Sequence, residues 1–118
     1  MTDSPSALQA FRHFREKMNT AIHAAGNTTI NRFFALDARA YENGALDAKT
    51  KELLGLVASM VLRCDDCITY HVIRCREEDV TDAEFQEMFA VALVVGGSIV
   101  IPHLRRAVAR LEELKEAT

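Results

Sequence analysis

Across all 118 residues, apolar side chains recur at steps of three and four, and no sustained apolar–polar alternation appears. That spacing lays a stripe along a helix and cannot serve a strand, whose side chains change face at every residue. Two prolines and five glycines interrupt the pattern at few places, so the chain reads as all-α with about six helices. The length is enough for one hydrophobic core and too short for two, and a single domain over residues 1–118 is expected.

The helices can be placed by their ends. Ser4 followed by Pro5 suits an N-cap and a first helical position, and the face carrying Leu8, Phe11, Phe14, Met18 and Ile22 ends at Gly26. A second helix, roughly Thr29 to Glu42, is expected to stop in a left-handed cap at Asn43-Gly44. Asp47 caps a third, AKTKELLGLVASMVLR, which breaks near Cys64-Asp65-Asp66-Cys67. There, Asp65 and Asp66 suit a cap or first turn of the fourth segment, ITYHVIRCREE. Thr81 and Glu84 form a capping box for a fifth helix, so apolar in its later part that an interior or interfacial place is expected. Gly96-Gly97 signals close packing or a break, and Pro102 opens the last helix, which runs to about Glu116.

Composition excludes several functions. Fourteen Lys and Arg against 17 Asp and Glu give a net charge of −3, without the basic footprint that nucleic acid or an anionic membrane would attract. The longest apolar stretch, Phe89 to Ile101, is interrupted by glycines and a serine and falls short of the roughly 18 residues of a membrane span. The first residues, MTDSPSALQAFRHF, carry no export signal, and a cytoplasmic location is expected. A 49% hydrophobic share is high for so small a chain, which points to apolar surface buried between identical subunits.

Three cysteines, an odd number, argue against a disulfide framework and for reactive or metal-binding thiols. Cys64 and Cys67 form a C-x-x-C pair close enough on a helical turn to be bridged. His71 lies about 40° round the axis from Cys67 and about 20° from Cys64, so the three share a face. A helix N-terminus and a histidine favour thiolate, whereas Asp65 and Asp66 oppose it and Arg63 compensates in part. With Cys75 the series becomes C-x2-C-x3-H-x3-C, nominally four zinc ligands, but on one helix Cys64 and Cys75 stand roughly 16 Å apart. Inert packing of the cysteines is the plain alternative to redox chemistry, and Cys75 itself reads as a buried or peripheral thiol. Glu52 interrupts the apolar third helix; its spacing alone favours solvent. His103, near the double glycine, reads as a surface or packing residue that could approach the cysteines.

The stretch LDAKTKELLGLVASMVLRCDDCITYHVIRC, with Glu52, eleven intervening residues, Cys64, Cys67 and His71, resembles the E-x11-C-x2-C-x3-H signature of the alkylhydroperoxidase D-like branch of the carboxymuconolactone decarboxylase family. The likeness continues through VTDAEFQEMFAVALVVGGSIVIPHLRRA, so the motif-bearing core is about residues 46–107. It departs at Asp66, where relatives often carry an aromatic or histidine. The resemblance implies an alkylhydroperoxidase D-like helical fold assembling as a dimer, trimer or hexamer. It implies that Cys67 attacks a peroxide, Cys64 resolves the product as a disulfide, and His71 and Glu52 relay the proton. No bound cofactor is expected; electrons would come from an external dithiol, such as a lipoylated protein.

The expected function is thus a thiol-dependent peroxidase acting on hydroperoxides, or a disulfide reductase. Two other readings stand beside it. One is a non-catalytic oligomeric scaffold with a structural disulfide or interfacial metal; the other is a decarboxylase-like lyase.

Overall fold

The computed structural model describes residues 4–117, and contains six α-helices and one short 3-10 turn; among the described residues there is no strand. In chain order the helices are α1 (Ala7–Ala24), α2 (Thr28–Ala40), α3 (Ala48–Val61), α4 (Asp65–Glu77), α5 (Asp82–Gly96) and α6 (Ile101–Ala117), with the turn at Ser98–Val100. The all-α reading and its six helices hold. No described helix is long and apolar enough to cross a membrane. The chain forms two compact units, Met1–Asn43 and Gly44–Thr118.

In the first unit, α1 starts two residues later than Ser4-Pro5 would have it. Ser6 is the cap: its hydroxyl accepts from the Gln9 amide and the Gln9 side chain accepts from the Ser6 amide, satisfying two donors at once. Gly26, at φ +74°, closes α1 as expected. Asn27 then caps α2 through the Ile30 amide. The end of α2 differs from expectation, since Tyr41 is the C-cap and no left-handed residue occurs at Asn43-Gly44. His23 joins the two helices, with Nδ1 3.0 Å from Asn31 Oδ1 and its ring edge-on to Phe34.

The second unit is built around α3, which packs on α4 and α5, while α4 packs on α6. Its core includes Leu56, Met60, Ile68, Val72, Phe85 and Val100, all at most 1% exposed. Asp47 caps α3 by accepting from the Thr50 amide at 2.8 Å, and Thr81 and Glu84 form the expected capping box on α5. On α5 the buried stripe is Phe85, Met88, Phe89 and Ala92, whereas Val91, Val94 and Val95 are exposed. That helix is therefore interior along one face only.

The link between α3 and α4 sets up the site. The Arg63 amide donates to the Met60 carbonyl and the Cys64 amide to the Ser59 carbonyl, the paired bonds of a Schellman closure. Its left-handed position is held by Arg63 at φ +60°, where a glycine would be usual. The same closure ends α4, with Asp79 at φ +63°. The reversal at Arg63 delivers Cys64 in extended conformation at the start of α4.

Candidate redox site

Cys64 is the N-cap of α4. Its sulfur accepts from the Cys67 amide at 3.2 Å, a place normally held by a serine, threonine, aspartate or asparagine oxygen. Cys64 and Cys67 are joined as a disulfide with their Cα atoms 5.3 Å apart. Cys64 is half-buried and Cys67 exposed, so the second cysteine is the one that a dissolved molecule meets first.

One helical turn beyond Cys67, Nδ1 of His71 lies 2.8 Å from Oε1 of Glu52. Glu52 does not face solvent, as its spacing alone suggested; it is 1% exposed. The reason is register: Ala48, Glu52, Leu56, Ser59 and Met60 form one inner stripe of α3, and Glu52 occupies a core position on it. A buried carboxylate needs partners, and its second oxygen has one in Arg74, whose Nε is 3.4 Å away. The Arg74 guanidinium also donates to Glu77 at 2.8 Å; that hydrogen bond, with Glu52 adding to it, raises its proton affinity. Accepting from Nδ1 would fix the ring so that proton exchange falls to Nε2.

Cys75 belongs to a different environment. It is fully buried, and loss of solvent, with the Glu52 charge adding, pushes its thiol up to about 12, which makes it a packing residue with little thiolate. His103 comes to the pair indirectly: its Nδ1 is 2.7 Å from Oδ1 of Asp65, the residue after Cys64, and Arg106 Nη1 is 3.0 Å from the other oxygen. Among the described residues no three His, Cys, Asp or Glu side chains converge as a metal-binding group. Arg74 and Arg106 were not anticipated. Arg74 is traceable as the i+3 neighbour of His71, while Arg106, 41 residues from Asp65, leaves no local signal.

The chain is all-helical, with a C-x-x-C pair opening one helix and a buried Glu–His pair one turn behind it. The chain belongs to the carboxymuconolactone decarboxylase family, whose profile matches residues 28–110. Two crystal structures of one Thermotoga maritima protein match with TM-scores of 0.88 and 0.86 at 56% and 57% identity. The first covers 92% of this chain and 95% of that one, the second 91% of each. That protein is described as a carboxymuconolactone decarboxylase family member with a suggested involvement in antioxidative response. A family member from Legionella pneumophila matches with a TM-score of 0.76 at 26% identity, over 88% of this chain and 96% of that one. By sequence, an uncharacterized protein of the cox locus of Paracoccus denitrificans is 32% identical over 79% of this chain and 84% of its own length.

Proposed function

We propose that this protein is a thiol-dependent peroxidase of the cytoplasm, cycling Cys64 and Cys67 between dithiol and disulfide. The observation that carries the reading is the C-x-x-C pair at the first turn of α4 with the buried Glu52–His71 pair one turn on. The antioxidative role suggested for the T. maritima relative supports it.

The Cys67 thiolate attacks the outer oxygen of a hydroperoxide, the O–O bond breaks, and the departing alkoxide takes a proton through His71 Nε2, leaving an alcohol and a sulfenic acid on Cys67. Cys64, as thiolate, then displaces hydroxide from that sulfur, which leaves as water with a second proton, and the disulfide closes. Glu52 holds the imidazole ring in orientation and stabilises it while it carries a proton. The peroxide gains two electrons and the cysteine pair loses them. An external dithiol, of the kind a lipoylated protein carries, restores the pair by thiol–disulfide exchange and is itself oxidised to a disulfide; the same chemistry without peroxide is disulfide reduction.

The active form is a homo-oligomer. Phe14, Phe33 and Leu36 in the first unit and Leu62, Val94 and Val95 in the second are all more than 60% exposed, and apolar exposure on that scale favours association.

A single-turnover experiment tests the peroxidase reading. Fully reduced protein is mixed with one equivalent of an organic hydroperoxide, and peroxide loss is followed while mass spectrometry maps the thiols. Loss of peroxide with a Cys64–Cys67 bridge is the expected result; surviving peroxide with free thiols overturns it.

A further inference from the structure

Two carboxylates stand between the cysteines of the pair, and they are not equivalent. Asp66 is exposed. Asp65 is gripped from α6: Oδ1 lies 2.7 Å from Nδ1 of His103 and Oδ2 lies 3.0 Å from Nη1 of Arg106. His103 and Arg106 are three apart on the first turns of α6, so they present both groups on one side of that helix.

A carboxylate in the first turn of a helix favours the helix, because it meets the positive end of the macrodipole. The same charge beside a thiol works against the thiolate. A guanidinium paired with the carboxylate eases that conflict: the helix keeps its acidic first turn while the charge of Asp65 is balanced. Arg106 carries a permanent charge, and His103 adds to it whenever its ring is protonated.

We propose that Asp65, His103 and Arg106 form a charge-balancing clamp that sets how readily the C-x-x-C thiols ionise. Asp65 is in this sense a positioning residue, acting on Cys64 and Cys67 without touching the peroxide. The proposal deepens the reading of the pair as reactive thiols and rests on it. The charged and titratable groups near the pair include Arg63, Asp65, Asp66, Tyr70, His71 and Arg74 along the chain, Glu52 of α3 behind His71, and His103 and Arg106 from α6. Of these, only the clamp residues join a carboxylate next to a cysteine to charges from another helix.

The clamp makes a prediction of opposite signs. Removing the carboxylate in Asp65→Asn leaves Arg106 uncompensated, so ionisation becomes easier. Removing the guanidinium in Arg106→Gln leaves Asp65 uncompensated, so ionisation becomes harder. Loosened packing alone would move both variants the same way.

The test uses reduced full-length protein, without peroxide. The rate of iodoacetamide alkylation is measured against pH, with Cys64 and Cys67 resolved by peptide mass spectrometry and folding checked by circular dichroism. The midpoint pH should fall in Asp65→Asn and rise in Arg106→Gln, by on the order of half a unit each for partly exposed groups. It should return toward the wild-type position in the double variant and stay there in Arg106→Lys. Arg106 is 58% exposed, so its replacement leaves the core intact. Midpoints that move in the same direction, or that do not move, overturn the clamp. A wild-type protein inert to peroxide would remove the peroxidase reading yet leave these midpoints readable, so the two fail separately.

Discussion

Glu52 and His71, nineteen residues apart and on successive helices, meet at 2.8 Å between Oε1 and Nδ1, with the carboxylate almost wholly withdrawn from water. A charge in that position is retained only at a cost, and its partners on α4 offset part of it.

Glu52→Gln keeps the shape and an acceptor oxygen but loses the charge that supports a protonated imidazole. Its single-turnover rate with hydroperoxide should fall about 10- to 100-fold, with a stability loss of about 1–2 kcal/mol. Glu52→Ala, which takes away the 2.8 Å partner of His71 and leaves a gap in the inner stripe of α3, should cost more, about 2–4 kcal/mol. Stopped-flow peroxide loss and urea unfolding measure the two effects; wild-type speed in a folded Gln variant removes Glu52 from the relay.

The two cysteines should be separable by the product each variant leaves. Cys67→Ser should consume no peroxide. Cys64→Ser should consume a single equivalent and stop with one oxygen added at Cys67, because no thiol is placed to condense with it. Intact-mass analysis before and after peroxide tells the two apart, and the reverse pattern would exchange their roles.

At Gly96 and Gly97 the cost of a methyl group should have two different origins. A Cβ at Gly96 would fall 2.5 Å from Cγ2 of the buried Val100; Gly96→Ala should therefore lose about 1–3 kcal/mol, and less in a Val100→Ala background. Gly97 has nothing within 4 Å of a Cβ, but its φ of +85° and ψ of −177° suit glycine alone. Gly97→Ala should lose about 1–3 kcal/mol in either background. Thermal or urea unfolding of the four variants forms the test, and equal coupling of both glycines to Val100 would contradict it.

Cys75 should shape the alkaline side of the stability curve. Its thiol is raised by burial from about 9 in the unfolded chain to about 12 in the fold. The folded state thus holds the proton more tightly, and the stability this contributes is complete below about pH 9 and is lost as pH rises toward 12. With the Cys64–Cys67 bridge intact, the stability difference between wild type and Cys75→Ala should shift against the wild type by about 1.4 kcal/mol per pH unit above pH 9. A difference independent of pH from 8 to about 10.5 would show that the thiol ionises freely in the fold.

How much of this was legible follows from which interactions are local. Capping by Asp47 and by the Thr81–Glu84 box uses groups three residues apart, and the spacing names them directly. Gly26 was legible because glycine advertises a left-handed residue, whereas Arg63 and Asp79 hold the same conformation without one and passed unseen. Ser4-Pro5 looked like a helix start, but Ser6 wins because Gln9 can return its bond. Glu52 was mistaken for a solvent residue when its spacing was read by itself, although its register with Leu56 and Met60 placed it inside. The family resemblance supplied what the spacing did not. The Asp65 clamp has no trace in the sequence, since it depends on α6 folding back over the start of α4.

The sulfur of Cys64 both closes the bridge and receives the amide hydrogen bond that begins α4. In the cycle proposed above, each passage of electrons through the pair would alter the atom on which the helix is anchored, and the ordering of its first turn would become part of the chemistry rather than a scaffold standing beside it.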